Sequence, residues 1–230
     1  MHIAAIQKTT LLDFPGKIAC TVFLPGCNLR CPFCHNSGLV LPEEISPEYI
    51  SIQSLLEFLK KRRGILDGVC ITGGEPTIHK DLPQLISQIR NLGFAIKLDT
   101  NGTSPQVLQE LIDRKLIDYA AMDIKNAPDQ YQDICGGMDV IAQVHQSVQI
   151  LMTGAVDFEF RTTVCHPYHT VQSMEAIGRW LQGEEKYFLQ GFVDSGHLIG
   201  QNSSAFTDKE MKEILETVKQ FIPHTQLRGI

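Results

Sequence analysis

Three cysteines crowd into one short stretch of this sequence, and they constrain the fold more than any other feature. Cys27, Cys31 and Cys34 lie in LPGCNLRCPFCHN with the spacing C-x3-C-x2-C. A structural zinc site, like an ordinary ferredoxin cluster, takes four protein ligands. The nearest other cysteines, Cys20 and Cys70, stand at no motif spacing from this group. The triplet therefore predicts a metal centre whose fourth ligand the motif does not supply.

Length and composition are those of an ordinary globular chain. Its 230 residues are 43% hydrophobic and 20% charged, which suffices for one large core. A net charge of −6 without blocks of like charge argues against a nucleic-acid-binding surface. We expect a cytoplasmic protein, because there is no signal-peptide pattern and no apolar run approaches about 18 residues. In a reducing compartment, seven cysteines favour metal or redox chemistry over disulfides.

Short β-rich runs alternate with amphipathic helical patterns along most of the chain. The runs cover residues 18–24, 68–72, 94–99, 119–124, 158–164 and 186–192. Between them, apolar residues recur at helical spacing, as at Ile52, Leu55, Leu56 and Leu59. Six strand–helix units in series predict an α/β fold with parallel strands and right-handed crossovers. Six units are too few for a closed eight-stranded barrel, so we expect an open doubly wound sheet or a partial barrel.

No linker, low-complexity tract or repeat divides the sequence, so we expect one domain over residues 1–230. Its core is expected over about 15–195, followed by a C-terminal helical extension over about 205–230. Within that extension, Met211, Ile214 and Val218 lie on one helical stripe, which predicts a helix that seals one edge of the sheet or the bottom of a barrel.

The unusual residues of the sequence gather where the predicted strands end. The cysteine triplet begins three residues after the first run, and Gly73, Gly74 and Glu75 follow the second. The segments LDTNG and MDIK close the third and fourth runs, while Arg161 lies within the fifth and Gln190 within the sixth. Ligands bind beyond the carboxyl ends of parallel strands. The sequence therefore predicts one site at this edge of the sheet.

The triplet, with Phe33 directly before its last cysteine, resembles the signature of the radical S-adenosylmethionine (SAM) superfamily. That resemblance implies one [4Fe-4S] cluster on Cys27, Cys31 and Cys34, with one iron left open to the amino and carboxylate groups of SAM. Phe33 and His35, which flank the last cysteine, are assigned to the cofactor site. The structural alternative is a zinc knuckle completed by His35, and it is strained because adjacent cysteine and histidine rarely bind one ion together.

The segment GGEP, from Gly73 to Pro76, resembles the second hallmark of that superfamily. Its glycines have no side chains, so the backbone can approach the ammonium group of SAM closely, and Glu75 adds a carboxylate near that ammonium. Standing alone, the segment would be a tight turn.

The segments LDTNG and MDIK resemble the matching segments of activating enzymes for glycyl radical enzymes. The resemblance implies a monovalent-cation site at Asp99, Thr100 and Asp123, and it pairs Lys125 with the SAM carboxylate. Hard oxygen ligands suit such a cation, and an ammonium suits a carboxylate. The structural alternatives are a solvated strand end for Asp123 and a surface position for Lys125.

Two further residues are assigned to SAM on weaker grounds. Arg161 in EFRTTV matches an arginine that meets SAM in the same activating enzymes, and an arginine among apolar neighbours needs a buried anionic partner. Gln190 stands at the sixth strand end, where relatives often place a polar SAM contact.

The N-terminal segment TTLLDFPGKIACTVFLPGCNLRCPFCHN is most similar to the activators of anaerobic (class III) ribonucleotide reductase. The resemblance covers roughly residues 8 to 195. It implies a reductive cleavage of SAM that generates a glycyl radical on a partner enzyme, with a flavodoxin- or ferredoxin-type electron donor. No second cysteine cluster precedes Gly73, so one cluster is expected. The family's histidine after the last strand has no clear counterpart, since His197 fits only with a shifted register.

Two other functions stay open. A radical SAM enzyme of the deazaguanine-forming type, acting on a small molecule or nucleoside, shares the triplet and a similar size, although the loops here carry no obvious base-stacking aromatics. An iron–sulfur electron carrier or sensor has no use for GGEP or MDIK, so SAM binding separates it from the enzymes. Cys135, in ICGGM, lies on a loop that could cover the site.

Overall fold

The computed structural model describes residues 1–34, 36–41, 48–194, 196 and 198–229. Its strands are β1 Ala5–Thr10, β2 Ala19–Leu24, β3 Gly68–Gly73, β4 Ala95–Thr100, β5 Tyr119–Asp123, β6 Asp157–His166, β7 Tyr187–Gly191, β8 Ser204–Ala205 and β9 Gln226–Arg228. Its helices are α1 Ser37–Val40, α2 Ile52–Lys60, α3 Leu82–Arg90, α4 Pro105–Asp113, α5 Tyr131–Ile134, α6 Ile141–Met152, α7 Val171–Trp180 and α8 Asp208–Lys219.

The strands form one sheet whose order is β1-β2-β3-β4-β5-β6-β7-β9, with β8 beside β6. The six strands from β2 to β7 are parallel and follow one another in chain order, which confirms the predicted six-unit α/β fold. In the described part of the chain the two end strands, β1 and β9, do not pair with each other. The barrel is therefore partial and open.

Two strands that flank the six parallel ones did not follow from the sequence pattern. β1 pairs antiparallel with β2 and is mostly exposed, so its residues show no apolar alternation. β9 has three residues and pairs parallel with β7, inside the segment expected to be only helical. Both lie at the ends of the sheet, where one neighbouring strand is missing and sequence carries little sign of burial.

The outer face of the sheet packs against the helices and forms the main hydrophobic core. Strand residues such as Val22, Ile71 and Leu98 are fully buried there with helix residues such as Leu85 and Ile177. Capping boxes begin two of these helices, α7 and α8, and so fix where the core-facing stripe starts. None of the described helices has both the length and the apolar character needed to cross a membrane.

The inner face of the same strands carries polar side chains, and Phe14 plugs its lower end. Phe14, from the turn between β1 and β2, is buried against Ala19 and Tyr119 as a small separate apolar cluster. A Cβ atom on Gly68 would lie 2.8 Å from the Phe14 ring, so glycine is needed there to admit the plug. The lower end of the barrel is thereby filled, and the upper end is left for a site.

Candidate active site

A cavity of about 270 Å³ opens at the carboxyl ends of the parallel strands. With the exception of His35, which lies outside the described residues, every residue assigned to the site from sequence lines this cavity. They are Cys27, Cys31, Phe33, Cys34, Gly73, Gly74, Glu75, Asp99, Thr100, Asp123, Lys125, Arg161 and Gln190. His197 also lies outside the described residues. The structure thus brings together side chains that are up to 163 positions apart in the sequence, from Cys27 to Gln190 (190 − 27).

The three cysteines lie in one loop after β2, residues 25–34, which we call the cysteine loop. Cys31 is buried, while Cys27 and Cys34 are half-buried, and all three are free thiols. The loop is held by its own backbone: the Cys34 N–H donates to the Cys31 carbonyl at 3.0 Å. The Arg30 guanidinium donates to the carbonyls of Cys27 and Leu29, each at 2.8 Å.

The donor set of this loop fits an iron–sulfur cluster. Among the described residues that line the cavity, the sulfur ligands are the three thiols of the cysteine loop, and thiolates are what hold such clusters. No group of three or more His, Cys, Asp or Glu side chains in the described ranges is arranged around a single metal ion. A cubane spreads its ligands over several irons, so three thiols along one cavity wall suit it.

Burial sets the acidity of these thiols. It raises the pKa of Cys27 to about 11 and also raises the pKa of Cys34. Cys31 differs, because a hydrogen bond from the buried thiol of Cys135 lowers its pKa despite burial. Metal ligands bind as thiolates, so cluster binding must overcome the burial cost at Cys27 and Cys34.

The two glycines of GGEP are required because the chain at the end of β3 passes close to the end of β2 and to the cysteine loop. Gly73 has a φ of +118°, and a Cβ atom there would overlap the backbone of Leu24. A Cβ atom on Gly74 would overlap the carbonyl oxygen of Gly26. The N–H groups of Gly74 and Glu75 donate to Leu24 and Gly26, each at 2.8 Å. Gly73 therefore lets β3 approach the end of β2, and Gly74 lets the chain after β3 approach the cysteine loop at Gly26.

Glu75 is buried and its carboxylate is held by four hydrogen-bond donors. It accepts from the Thr77 N–H at 3.1 Å, the Thr77 hydroxyl at 2.5 Å, the Thr100 hydroxyl at 2.8 Å and the Asn101 N–H at 2.6 Å. Burial raises the pKa of Glu75, and these hydrogen bonds oppose the rise. The side chain expected beside the SAM ammonium thus ties the end of β3 to the end of β4.

Five charged side chains on the inner face form one ionic cluster, composed of Lys97, Asp99, Asp123, Lys125 and Arg161. Arg161 bridges the two carboxylates, with Nη2 at 3.1 Å from Asp99 and Nε at 2.5 Å from Asp123. Lys125 Nζ lies 3.0 Å from Asp123, and Lys97 pairs with Asp99. Three cations face two carboxylates, so the ionic cluster has a net charge of +1 although each cation has a partner.

The ion pairs keep both carboxylates ionised although burial acts in the opposite direction. Burial would raise the pKa of Asp99, but Arg161 and Lys97 bring it below its usual value. Burial likewise opposes ionisation of Asp123, whose pKa is held well below its usual range by Arg161 and Lys125. The structural alternatives, a solvated strand end for Asp123 and a surface position for Lys125, are therefore wrong, because both side chains are paired within the ionic cluster.

The residues expected to bind a monovalent cation are already engaged with other groups. Asp99 and Asp123 are paired within the ionic cluster. The Thr100 hydroxyl donates to Glu75 at 2.8 Å and accepts from the Gly102 N–H at 3.1 Å, so it does not join the two carboxylates. The cation site stays a prediction.

Sequence reasoning missed two buried polar residues of β4 and its end. Lys97 is 2% exposed, and it alternates with Asp99 in AIKLD, so the period of two along a strand could have placed both on the inner face. Asn101 is 6% exposed and lines the cavity beside Thr100. It lies within the LDTNG segment, but no spacing rule singles out a lone asparagine.

Loops from later in the chain close over the cysteine loop. The N–H of Gly200 donates to the Pro32 carbonyl at 2.7 Å, and the N–H of Ile199 donates to the Cys34 carbonyl at 3.3 Å. Cys135, expected on a covering loop, is fully buried beside Cys31. Buried His169 bonds the Lys125 carbonyl through Nε2 at 2.9 Å and lies edge-on to Phe33.

Sequence comparison finds relatives of this chain. Over 99% of its length the chain is 29% identical to a protein of Methanocaldococcus jannaschii named "Putative glycyl-radical enzyme activating enzyme", of which it covers 96%. A shorter stretch of 82 residues is 38% identical to 7-carboxy-7-deazaguanine synthase of Aquifex aeolicus. That stretch spans 35% of this chain and 34% of the synthase.

Solved structures share the fold at low sequence identity. SuiB of Streptococcus suis bound to S-adenosylmethionine superposes with a TM-score of 0.67 at 13% identity, covering 91% of this chain. The chain spans about half, 52%, of SuiB. A domain of pyruvate-formate lyase-activating enzyme from Bacteroides vulgatus gives a TM-score of 0.57 at 13% identity, covering 70% of this chain and 99% of that one. Residues 21–181, more than half of the sequence, match the Radical SAM superfamily. The chain therefore belongs to the radical SAM superfamily.

Proposed function

We propose that this chain is an activating enzyme that cleaves SAM at a [4Fe-4S] cluster and generates a glycyl radical on a partner enzyme, with anaerobic ribonucleotide reductase as that partner. The observation that carries the proposal is one cavity that brings three thiols together with the cationic side chains of Lys125 and Arg161. The similarity to the activating enzyme of M. jannaschii over nearly the whole of both chains supports the choice of reaction.

Cys27, Cys31 and Cys34 are the residues assigned to hold the cluster. When bound and reduced by a flavodoxin- or ferredoxin-type donor, the cluster supplies one electron to the sulfonium of SAM, which yields methionine and a 5'-deoxyadenosyl radical. Backbone N–H groups of Glu75, Ile199 and Gly200 donate to carbonyls of the cysteine loop, so the three thiols are presented from a fixed backbone. A fixed loop sets the distance on which transfer to SAM depends.

The ionic cluster suits the two charged ends of the amino acid part of SAM. Lys125 and Arg161 line the cavity, and their charged N–H groups are donors of the kind that bind a carboxylate. The ammonium group of SAM needs hydrogen-bond acceptors, and the backbone groups that accept are carbonyl oxygens. The N–H groups of Gly74 and Glu75 already donate to the Leu24 and Gly26 carbonyls. Phe33 and Gln190 complete the assigned SAM contacts.

The open barrel gives the partner a way in. A glycine loop of the partner enzyme must reach the C5' carbon of the radical, because a primary carbon radical attacks whatever lies nearest. In the described residues β1 and β9 leave the sheet unclosed, which supports entry of a peptide. We also propose that residues 1–230 fold as one radical SAM domain, because β9 from the C-terminal segment joins the same sheet.

The test is anaerobic reconstitution of the cluster, followed by dithionite and SAM. We expect 5'-deoxyadenosine from the wild-type protein, none from Cys27→Ala, and wild-type amounts from the matched control Cys20→Ala. Cys20 is a fully buried cysteine of β2 that does not line the cavity. With a co-expressed class III reductase, EPR should detect a glycyl radical on the reductase. A four-cysteine cluster, or no deoxyadenosine from a fully loaded protein, contradicts the proposal.

A second candidate function is a reaction on a small heterocycle, favoured by the local identity to 7-carboxy-7-deazaguanine synthase. Against it, the described cavity-lining residues include one aromatic side chain on which a heterocycle could stack, Phe33. Phe33 already packs on Tyr168 and His169. Deoxyadenosine formation without a glycyl radical on any candidate reductase would favour this second function.

A further inference from the structure

Asn101 lies at the end of β4 with its side chain turned toward the cysteine loop. Its backbone N–H donates to Glu75 at 2.6 Å, which fixes the main chain at this point. Its side-chain nitrogen Nδ2 lies 3.1 Å from the Asn28 Oδ1 and 3.9 Å from the sulfur of Cys27. Asn28 and Cys27 are neighbours in the cysteine loop, so one amide contacts two consecutive residues of that loop.

A closed ring of hydrogen bonds fixes which way this amide points. The Thr103 N–H, which can only donate, lies 3.0 Å from one atom of the Asn101 amide, so that atom is the oxygen. The Thr103 hydroxyl also donates to this oxygen at 2.7 Å and accepts from Asn28 Nδ2 at 2.9 Å. Asn101 Nδ2 completes the ring by donating to Asn28. The orientation of both amides follows from the ring.

The ring uses one of the two hydrogens on Asn101 Nδ2 and leaves the other for the Cys27 sulfur. The separation of 3.9 Å is long for an N–H···S bond, and a second donor, the Leu29 N–H, lies closer at 3.4 Å. Both donors face the same sulfur from groups that are held in place. The Cys27 sulfur therefore faces two N–H donors, one from the cysteine loop and one from the end of β4.

We propose that Asn101 is a positioning residue for the cluster, which raises the reduction potential by directing an amide N–H at the sulfur of Cys27. The proposal rests on the proposed function, since it takes Cys27 as a cluster ligand. Reduction adds one negative charge to the cluster, and an N–H dipole aimed at a ligand sulfur stabilises the reduced form more than the oxidised one. Asn28 and Thr103 act through Asn101 by holding its orientation.

The measurement is an EPR-monitored redox titration of the reconstituted protein without SAM. For Asn101→Ala we expect about a tenfold lower ratio of reduced to oxidised cluster at a fixed solution potential, equivalent to about 59 mV for a one-electron couple. Thr103→Val, which keeps the amide but removes the hydroxyl that orients it, should shift the potential in the same direction by less. If Asn101→Ala loses iron, Thr103→Val carries the test at full cluster content.

The matched control is Asn126→Ala. Asn126 is buried like Asn101, at 2% against 6% exposed, and lies after the next strand, but its amide donates to the Tyr168 carbonyl and accepts from the Ala127 N–H. Its removal should leave the potential unchanged. Reduction potentials unchanged from wild type in both Asn101→Ala and Thr103→Val would overturn the proposal. Weaker SAM binding by Asn101→Ala, with its reduction potential unchanged, would also overturn it, because Asn101 would then act on SAM and not on the cluster. Failure of the proposed function looks different: the wild-type protein itself would then hold no three-cysteine cluster.

Discussion

The two faces of the sheet are built from the same strands and have opposite chemistry. On the outer face, Ile71 and Leu98 pack against helices in an apolar core. On the inner face, one residue along in each strand, Cys70, Lys97 and Asp99 lie in a polar interior that ends in the cavity. Side chains alternate along a strand, so neighbouring residues belong to different environments.

This alternation separates the residues that hold the fold from those proposed to hold SAM. Leu98 and Asp99 are adjacent, yet Leu98 is fully buried in the core and Asp99 lines the cavity. A substitution on the outer face should therefore change stability alone, whereas a substitution on the inner face should change both stability and ligand binding. The comparison can be tested by removing single side chains from each face.

Arg161→Met should give the largest effect. It removes the cation that bridges Asp99 and Asp123, and breaking a buried ion pair from one side costs about 3–5 kcal/mol of unfolding free energy. SAM affinity should also fall by roughly 10- to 100-fold, the value of a charged hydrogen bond. Urea denaturation and SAM binding measure the two effects. Arg161→Lys, which keeps the positive charge but loses the planar set of guanidinium donors, should give intermediate stability and intermediate SAM affinity. Wild-type stability and binding in Arg161→Met would show that the ionic cluster has no role.

Leu98→Ala tests the outer face on the strand that carries Asp99. Leu98 is fully buried, and truncating such a leucine costs about 2–5 kcal/mol through lost contacts and the cavity left behind. SAM affinity of the folded protein should match the wild type. The same pair of assays applies, at a temperature where the variant is folded. A loss of SAM affinity as large as that of Arg161→Met would mean that the two faces are not independent.

The alternation is also what made the fold predictable from sequence. The six parallel strands and the main helices follow from apolar periodicity, because a buried strand or a core-facing helix stripe must repeat its apolar residues. The cavity edge followed from topology, since the ends of parallel strands meet there. Exposed β1 and three-residue β9 bury too little on both faces for any period to show.

The details of the site were less predictable, because they depend on partners from other strands. Glu75 reads as a free carboxylate in GGEP, but it is held by donors of Thr77, Thr100 and Asn101. The period of two places Lys97 on the same face as Asp99, but its position opposite Cys70 comes from the register between β3 and β4. Such contacts depend on the register between strands, and one strand's sequence does not contain it.

The inner face should make stability depend on acid pH, whereas the outer face should not. The pKa of Asp99 lies below its usual value, because Arg161 and Lys97 outweigh burial. The unfolded carboxyl has a pKa of about 3.9, so the stability that this group contributes is present above about pH 4 and is lost as pH falls toward the lower folded pKa.

For the metal-free protein, Asp99→Asn should therefore flatten the fall in unfolding free energy below about pH 4, by up to about 1.4 kcal/mol per pH unit. Leu98→Ala should move the whole curve down without changing its slope. Urea denaturation at pH 7, 5, 4 and 3 measures both. An unchanged slope in Asp99→Asn would mean that the carboxyl has the same pKa in the folded and unfolded chains.

The smallest effect is expected from an ion pair of the same length on the solvent side of α4. Arg114 Nη1 lies 2.5 Å from Glu110, the distance that also separates Arg161 from Asp123. The side chains of Arg114 and Glu110 are 50% and 48% exposed, against 16% for Arg161, so water screens the outer pair and competes with it. Arg114→Ala should therefore cost at most about 0.5 kcal/mol and leave SAM binding unchanged. A cost near that of Arg161→Met, measured by urea denaturation, would mean that distance rather than burial decides what an ion pair contributes in this protein.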